Sequence, residues 1–94
     1  MNRFTFDVYY SYSRDASNPL AKQKSAEEVV AALGYFRHDV MRGLSDKSAR
    51  LEVTEAPEHP SGQRISILTS QSQEVVMSVV RECLSQQELF GIPL

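Results

Sequence analysis

The clearest pattern in the chain is a regular alternation of side chains near its start. From Phe4 to Tyr12, every second residue is aromatic or β-branched, and Thr5, Asp7, Tyr9 and Ser11 lie between them. A period of two predicts a half-buried β-strand, because successive side chains of a strand point to opposite faces of the sheet. The first set is expected to face the core, and the four intervening residues are expected to face away from it.

Two longer segments repeat apolar residues at helical spacing and predict amphipathic helices. The first opens at Ser25, where Glu28 three positions later completes a capping-box pattern. The second opens at Ser70 or at Ser72, and its apolar residues run from Val75 to Leu84. Gly91 stands where a glycine cap is expected to end this helix.

Between the two helices, the chain alternates again over two short stretches, 49–54 and 64–69. The intervening stretch 57–62 contains two prolines and a glycine, so it predicts the turn of a β-hairpin rather than a continuing strand. The segment 13–24 follows neither period. It is predicted to be a long and mobile connection between the first strand and the first helix.

The order strand, helix, strand, strand, helix predicts a single α+β domain over residues 1–94. A right-handed crossover through the first helix delivers the second strand parallel to the first. The third strand then turns back from the second, fits between the two and runs antiparallel to both. The result is a three-stranded antiparallel sheet with both helices on one face, which is a split β-α-β arrangement of the ferredoxin-like type without its last strand. Because 92–94 is too short to supply that strand, strand 4–12 is expected at a sheet edge.

Composition narrows the function classes only slightly. The 94 residues are 41% hydrophobic, and ten basic against twelve acidic residues give a formal net charge of -2. The sequence has no basic stripe of the kind that indicates nonspecific nucleic-acid binding. It also has no apolar run that approaches the ~20 residues of a membrane span. The single cysteine, Cys83, excludes an intrachain disulfide. A reducing, cytoplasmic location is therefore predicted.

No residue of the sequence has the surroundings that catalysis needs. Cys83 lies on the apolar side of the second helix, so burial is expected to make its thiol unreactive. His38 falls on the polar side of the first helix, and His59 lies in the proline-rich turn. Asp7 and Asp15 bracket the end of the first strand as solvated residues. No ligand pair has zinc or iron spacing and no glycine-rich phosphate loop occurs, so we predict no catalytic residue, cofactor or metal.

The sheet face without helices is therefore the candidate binding surface. Its predicted partner-binding residues are Thr5, Asp7, Tyr9, Ser11, Arg64 and Leu68. Sheets that bind single-stranded nucleic acid need two or three stacking aromatic rings among basic residues, whereas this face offers Tyr9 alone beside the acidic Asp7 and Glu52. The unpaired edge of strand 4–12 is a second candidate surface, either for a homodimer or for a captured partner strand.

In size and element order, from Phe4 to Phe90, the chain is similar to the DinI-like proteins, which are small bacterial and phage modulators of the RecA filament. That family uses a strongly acidic final helix. The corresponding stretch 73–90 carries only Glu74, Glu82 and Glu88, with Arg81 among them. The resemblance therefore concerns architecture, and RecA binding is not carried over to this chain.

These observations lead to one main hypothesis and two alternatives. The main hypothesis is a small non-enzymatic protein-binding module that regulates or inhibits a larger protein or complex. Phage-encoded inhibitors such as anti-CRISPR proteins and toxin immunity proteins share its short, motif-free character. The alternatives are a nucleic-acid-binding module that uses the free sheet face and a small enzyme with its site at a homodimer interface.

Overall fold

The structure, a computed structural model, describes residues 1–11 and 24–94 of the chain. It contains two α-helices and a four-stranded antiparallel sheet, in agreement with the predicted α+β class. In chain order the elements are β1 (Asn2–Tyr9), α1 (Ala26–Leu44), β2 (Arg50–Glu55), β3 (Gln63–Thr69), α2 (Gln73–Gln87) and β4 (Phe90–Pro93).

The sheet has the strand order β2-β3-β1-β4, and every neighbouring pair is antiparallel. Phe6 of β1 lies opposite Ile65 of β3, and Phe4 lies opposite Ile67. Residues directly opposite one another point to the same side of a sheet, so these apolar side chains share one face. Together with Val8 they form the sheet side of the hydrophobic core, which the buried residues of both helices complete.

Helix α1 begins as the sequence predicted. The Ser25 hydroxyl accepts a hydrogen bond from the amide of Glu28, and the Glu28 carboxylate accepts one from the amide of Ser25, both at 3.2 Å. Gly43 resembles a helix stop signal in the sequence, but the helix continues to Leu44 and Ser45 provides the left-handed C-cap. Gly43 instead faces α2, where an added Cβ would approach Val79 to 2.8 Å.

Helix α2 begins at the second of the two predicted positions, since the Ser72 hydroxyl accepts a hydrogen bond from the amide of Val75. Its predicted glycine cap is wrong. Glu88 adopts the left-handed conformation that ends the helix, with φ 55°, whereas Gly91 lies within β4. The helix ends early enough for the chain to turn back and form another strand.

That fourth strand overturns the predicted three-stranded sheet. β4 pairs with β1 in a register that places Tyr9 opposite Phe90 and Phe6 opposite Pro93. β1 is consequently a central strand with partners on both sides, and strand 4–12 is not the open edge proposed for a homodimer. β1 also ends at Tyr9, and both Tyr12 and most of the connection predicted over 13–24 lie outside the described residues.

A carboxylate that the sequence reasoning did not single out joins two of the turns. Asp46 follows α1 and accepts hydrogen bonds from the Ser48 hydroxyl at 2.7 Å, the Thr69 hydroxyl at 2.6 Å and the Ser70 amide at 3.2 Å. The bonds from Thr69 and Ser48 are the main cause that holds the pKa of Asp46 below its ordinary value. The charged carboxylate thereby ties the turn before β2 to the end of β3.

Candidate functional site

Neither helix lies on the second face of the sheet, which we call the open face. Strand alternation and the registers assign residues from all four strands to it. Its members are Arg3, Thr5, Asp7, Tyr9, Arg50, Glu52, Thr54, Arg64, Ser66, Leu68, Phe90 and Ile92, followed by Leu94, whose amide donates to the carbonyl of Thr5.

Five of the six predicted binding residues lie on this face, namely Thr5, Asp7, Tyr9, Arg64 and Leu68. Ser11 is exposed but follows the end of β1, so it is not part of the sheet. The placement agrees with the predicted alternation. Whether these residues bind a partner stays a prediction.

The β4 side of the open face is apolar and exposed. Phe90, Ile92 and Leu94 are 53%, 41% and 63% exposed, and we call these three residues the apolar stripe. They alternate along β4 with Gly91 and Pro93, so all three point to the open face. Large apolar side chains that are exposed next to one another in this way are typical of interaction surfaces.

Tyr9 connects the apolar stripe to the loop between β2 and β3. Its ring stacks on the His59 ring, with centroids 3.9 Å apart and planes 7° from parallel. On the β4 side, the Tyr9 and Phe90 centroids are 5.8 Å apart. One face of the tyrosine ring is therefore covered by the protein itself, whereas Phe90 stays more than half exposed.

The loop reaches Tyr9 because it turns tightly at Gly62. The Gly62 amide donates to the carbonyl of His59 at 2.7 Å. A Cβ added at Gly62 would lie 2.8 Å from the carbonyl oxygen of Val8, which is shorter than carbon–oxygen contacts allow. Only glycine lets the loop approach β1 closely enough for His59 to stack on Tyr9.

The centre of the open face is an ion pair rather than a vacant charged site. Arg64 donates from Nε to Oδ1 of Asp7 at 2.8 Å and from Nη2 to Oδ2 at 3.1 Å. Asp7 is only 3% exposed, although it belongs to the open face. Hydrogen bonding from Arg64 holds the pKa of Asp7 below its ordinary value, against the opposing effect of burial. The pair forms a bidentate, structural contact.

The remaining polar residues of the face also contact one another. The hydroxyls of Thr5 and Ser66 are 3.0 Å apart. At the β2 side, Arg3 donates to the carboxylate of Glu52 at 3.1 Å, and both side chains are largely exposed. Two polar residues of the face lack such contacts within 1–11 and 24–94: the Thr54 hydroxyl forms no hydrogen bond, and Arg50 forms no ion pair.

The candidate nucleophile, Cys83, is buried in the core as predicted. Burial raises the pKa of its thiol to about 11, and the carboxylates of Asp39 and Glu82 add to the effect. At that pKa almost no thiolate, which is the reactive form of cysteine, is present at neutral pH. Over the described part of the chain, no three residues among His, Cys, Asp and Glu converge as metal ligands do.

We expect the Cys83 thiol to react with Ellman's reagent at least about tenfold more slowly in the folded protein than in urea, because the folded state hides the sulfur and disfavours the thiolate. The measurement is the absorbance rise with time at pH 8, with and without denaturant. Equal rates in the two conditions would show that the thiol is accessible and would reopen the question of a reactive cysteine.

Of the two helices, neither has the length and apolar character needed to cross a bilayer, a finding limited to residues 1–11 and 24–94. Comparison with known proteins does not assign the chain to a family: no family model matches it, and no curated protein matches it. The open face and its charges are therefore the features that bear on the function of the chain.

Proposed function

We propose that this chain is a small non-enzymatic protein-binding module that docks on its partner through the open face. The observation that carries the proposal is the apolar stripe of Phe90, Ile92 and Leu94 beside the Tyr9 ring. Burying such a stripe against another protein is favourable at roughly 25 cal/mol per Å² of apolar surface. Aromatic residues at the centre of an interface contribute a large share of the binding energy.

The distribution of polarity supports a protein partner. The apolar stripe lies along one side of the face, and ion pairs lie at the centre and on the opposite side, including Asp7 with Arg64 and Arg3 with Glu52. A hydrophobic area with polar surroundings is the usual composition of a protein–protein interface. Since Asp7 and Arg64 already neutralise each other, the partner does not have to bring a charge to the centre of the face.

A regulator or inhibitor is the form of this function that we propose. A domain of 94 residues with an apolar stripe on its open face can occupy a site on a larger protein without supplying any chemistry of its own. The element order and the strand order β2-β3-β1-β4 also support a ferredoxin-like arrangement, now with four strands. We propose this arrangement as the scaffold that keeps the open face flat and rigid.

Single-stranded nucleic acid is the second candidate, and a specific observation favours it. Phe90 adds an exposed aromatic ring beside the half-buried Tyr9, and base-stacking sheets use two or three such rings. Two other features count against it. His59 already covers one side of the Tyr9 ring, so that side is not free for a base. Arg64 is bound to Asp7, so it is not free for a phosphate. This balance places the protein partner first.

The test is a comparison of two exposed aromatic residues on different surfaces. Immobilised wild-type protein, Phe90→Ser and Tyr35→Ser are incubated with lysate from the source cells, and retained proteins are quantified by mass spectrometry. Tyr35 is an exposed aromatic residue of α1, so its substitution controls for the loss of a surface ring. We expect a partner that wild type and Tyr35→Ser retain and that Phe90→Ser loses by at least roughly tenfold.

If all three proteins retained the same set in the same amounts, the open face would not be the binding surface and the proposal would be wrong. The nucleic-acid candidate is measured separately by fluorescence anisotropy of a labelled single-stranded oligonucleotide. Binding that weakens with salt and that Phe90→Ser abolishes would replace the protein partner by a nucleic acid. Circular dichroism of each variant establishes that the substitutions leave the fold intact.

A further inference from the structure

The two edges of the sheet differ in the backbone groups they present. The amide of Leu94 donates to the carbonyl of Thr5 at 2.9 Å, so the backbone of Leu94 faces β1. Alternation then turns Ile92 and Phe90 toward β1 as well and leaves Gly91 and Pro93 facing outward. Because proline has no N–H, Gly91 supplies the only outward donor of β4. This edge is therefore blunted against further pairing.

The β2 edge carries no such protection. The registers of β1 with β3 and of β3 with β2 are continuous, so the alternation of backbone groups extends across the sheet. It turns the backbone N–H and C=O groups of Arg50, Glu52 and Thr54 toward β3. The N–H and C=O groups of Leu51, Val53 and Glu55 consequently face outward. β2 contains no proline, and no strand within residues 1–11 and 24–94 pairs with these outward groups, which leaves them to a further strand.

The helix-covered side of β2 also exposes apolar residues. Val53 lies opposite Ile65 and thus on the side of the core, yet its side chain is exposed. Val30 is exposed on the adjacent side of α1. A shallow groove of about 450 Å³ separates helix and strand, and its apolar lining includes Val29, Val30, Leu33 and Val53.

We propose that β2 pairs with β2 of a second copy of this chain, antiparallel and about a two-fold axis at Leu51. This register places Arg50 of each copy directly opposite Glu52 of the other, both on the open side of the joined sheet. Arg50 has no ion pair within the described part of its own chain. In the dimer, Glu52 of each copy supplies a carboxylate to Arg50 of the other copy. Oppositely charged residues that lie directly across a strand pair stabilise the pair.

The backbone fits the same register. Leu51 lies opposite Leu51 of the second copy, and their outward N–H and C=O groups form two hydrogen bonds. Moving the axis by one residue would instead place Glu52 opposite Glu52, and like charges directly opposite one another destabilise a strand pair. The charges of the edge therefore select between neighbouring registers.

Apolar surface is buried on the other side of the joined sheet. The two-fold axis runs perpendicular to the sheet, so both α1 helices lie on the same side of it. In this register Val53 of each copy lies opposite Ala49 of the other, beside the strand of the second copy. The dimer thus covers part of an exposed apolar side chain that the monomer leaves to solvent.

Charge reversal tests this assignment. Arg50→Glu places two glutamates opposite each other, and Glu52→Arg places two arginines opposite each other. Each variant alone should have a dimer dissociation constant at least about tenfold above that of wild type. An equimolar mixture of the two should regain a dimer of wild-type affinity, because every glutamate of one variant then faces an arginine of the other at both ends of the pairing. Sedimentation velocity over a concentration series measures all four samples.

Arg81→Glu is the matched control, since it makes the same reversal at an exposed residue of α2, and it should dimerise as wild type does. Glu52→Arg also loses the contact with Arg3, an exposed pair of small energetic value, and circular dichroism shows whether the variant stays folded. A strictly monomeric wild type, at all concentrations, would overturn the proposal. A dimer that both reversals leave unchanged would overturn it equally.

Discussion

Replacing Gly62 by alanine should destabilise the folded state by about 2 kcal/mol, the scale of cost for forcing an extra group into a packed site. The new Cβ would lie 2.8 Å from the carbonyl oxygen of Val8 and 3.0 Å from the Cβ atoms of His59 and Tyr9. Two of these neighbours are backbone-anchored and the third is the backbone itself, so none can rotate away. The measurement is urea denaturation followed by circular dichroism.

Gly34→Ala is the control for that experiment, because it makes the same chemical change where space is available. The nearest atom to its added Cβ is Nη2 of Arg37, at 3.8 Å. Gly34 lies inside α1, where alanine is favoured over glycine by up to about 1 kcal/mol. This variant should therefore be more stable than wild type. If Gly62→Ala unfolded at the wild-type urea concentration, the close approach of the loop to β1 would be wrong.

The second large effect is expected at Asp7. Replacing it by alanine removes both hydrogen bonds with Arg64 from a nearly buried position, and the free energy of unfolding should fall by about 2 kcal/mol. Glu52→Ala breaks the exposed contact with Arg3 instead, and at protein concentrations low enough for a monomer it should change the free energy of unfolding by less than about 1 kcal/mol. Equal effects of the two substitutions would show that the Asp7 pair is no more protected than a surface contact.

The Asp7 pair also predicts a pH dependence. Its pKa lies below the ordinary value of 3.8 in the folded state, so the folded protein holds the charged form more strongly than the unfolded chain does. The stabilisation is therefore complete above about pH 4 and is lost as the pH falls through the lower, folded-state pKa. Asp7→Ala lacks this contribution. We expect the stability difference between wild type and variant to shrink as the pH falls below about 4.

Much of this fold could be predicted from the sequence. The alternation around Phe6 identified a strand that is buried on one face, and Ser25 with Glu28 located the start of α1 correctly. Both signals are local, since each depends on residues only a few positions apart in the sequence. The hairpin of β2 and β3 was equally accessible, because a proline-rich turn separates two alternating stretches.

The fourth strand could not be recognised in the same way. Phe90–Pro93 contains a glycine and a proline, which are both unfavourable inside strands, and four residues are too few to show alternation. Its formation depends on a distant partner, since β1 supplies the pairing groups from the other end of the chain. The error about Gly91 has the same origin, because a glycine near the end of a helix resembles a cap unless the following strand is known.

The candidate site was therefore predicted only in part. Tyr9 and Arg64 were placed on the correct face, whereas Phe90 and Ile92 were missed because they belong to the strand that was missed. The burial of Asp7 was not foreseen either. It results from side-by-side neighbours on β3 and β4, namely Arg64 and Ile92, and no spacing along the chain reveals such cross-strand neighbours.

Pro93 has a consequence for how many copies can join. A sheet with two open edges can add molecules at both ends and grow into a filament. Here the β4 edge offers a single outward donor, at Gly91, so growth through β4 has almost no template. In the dimer proposed above, joining through β2 occupies the open β2 edge of each copy, so that assembly would end at two. Pro93 would then keep the joined sheet from growing into a fibril.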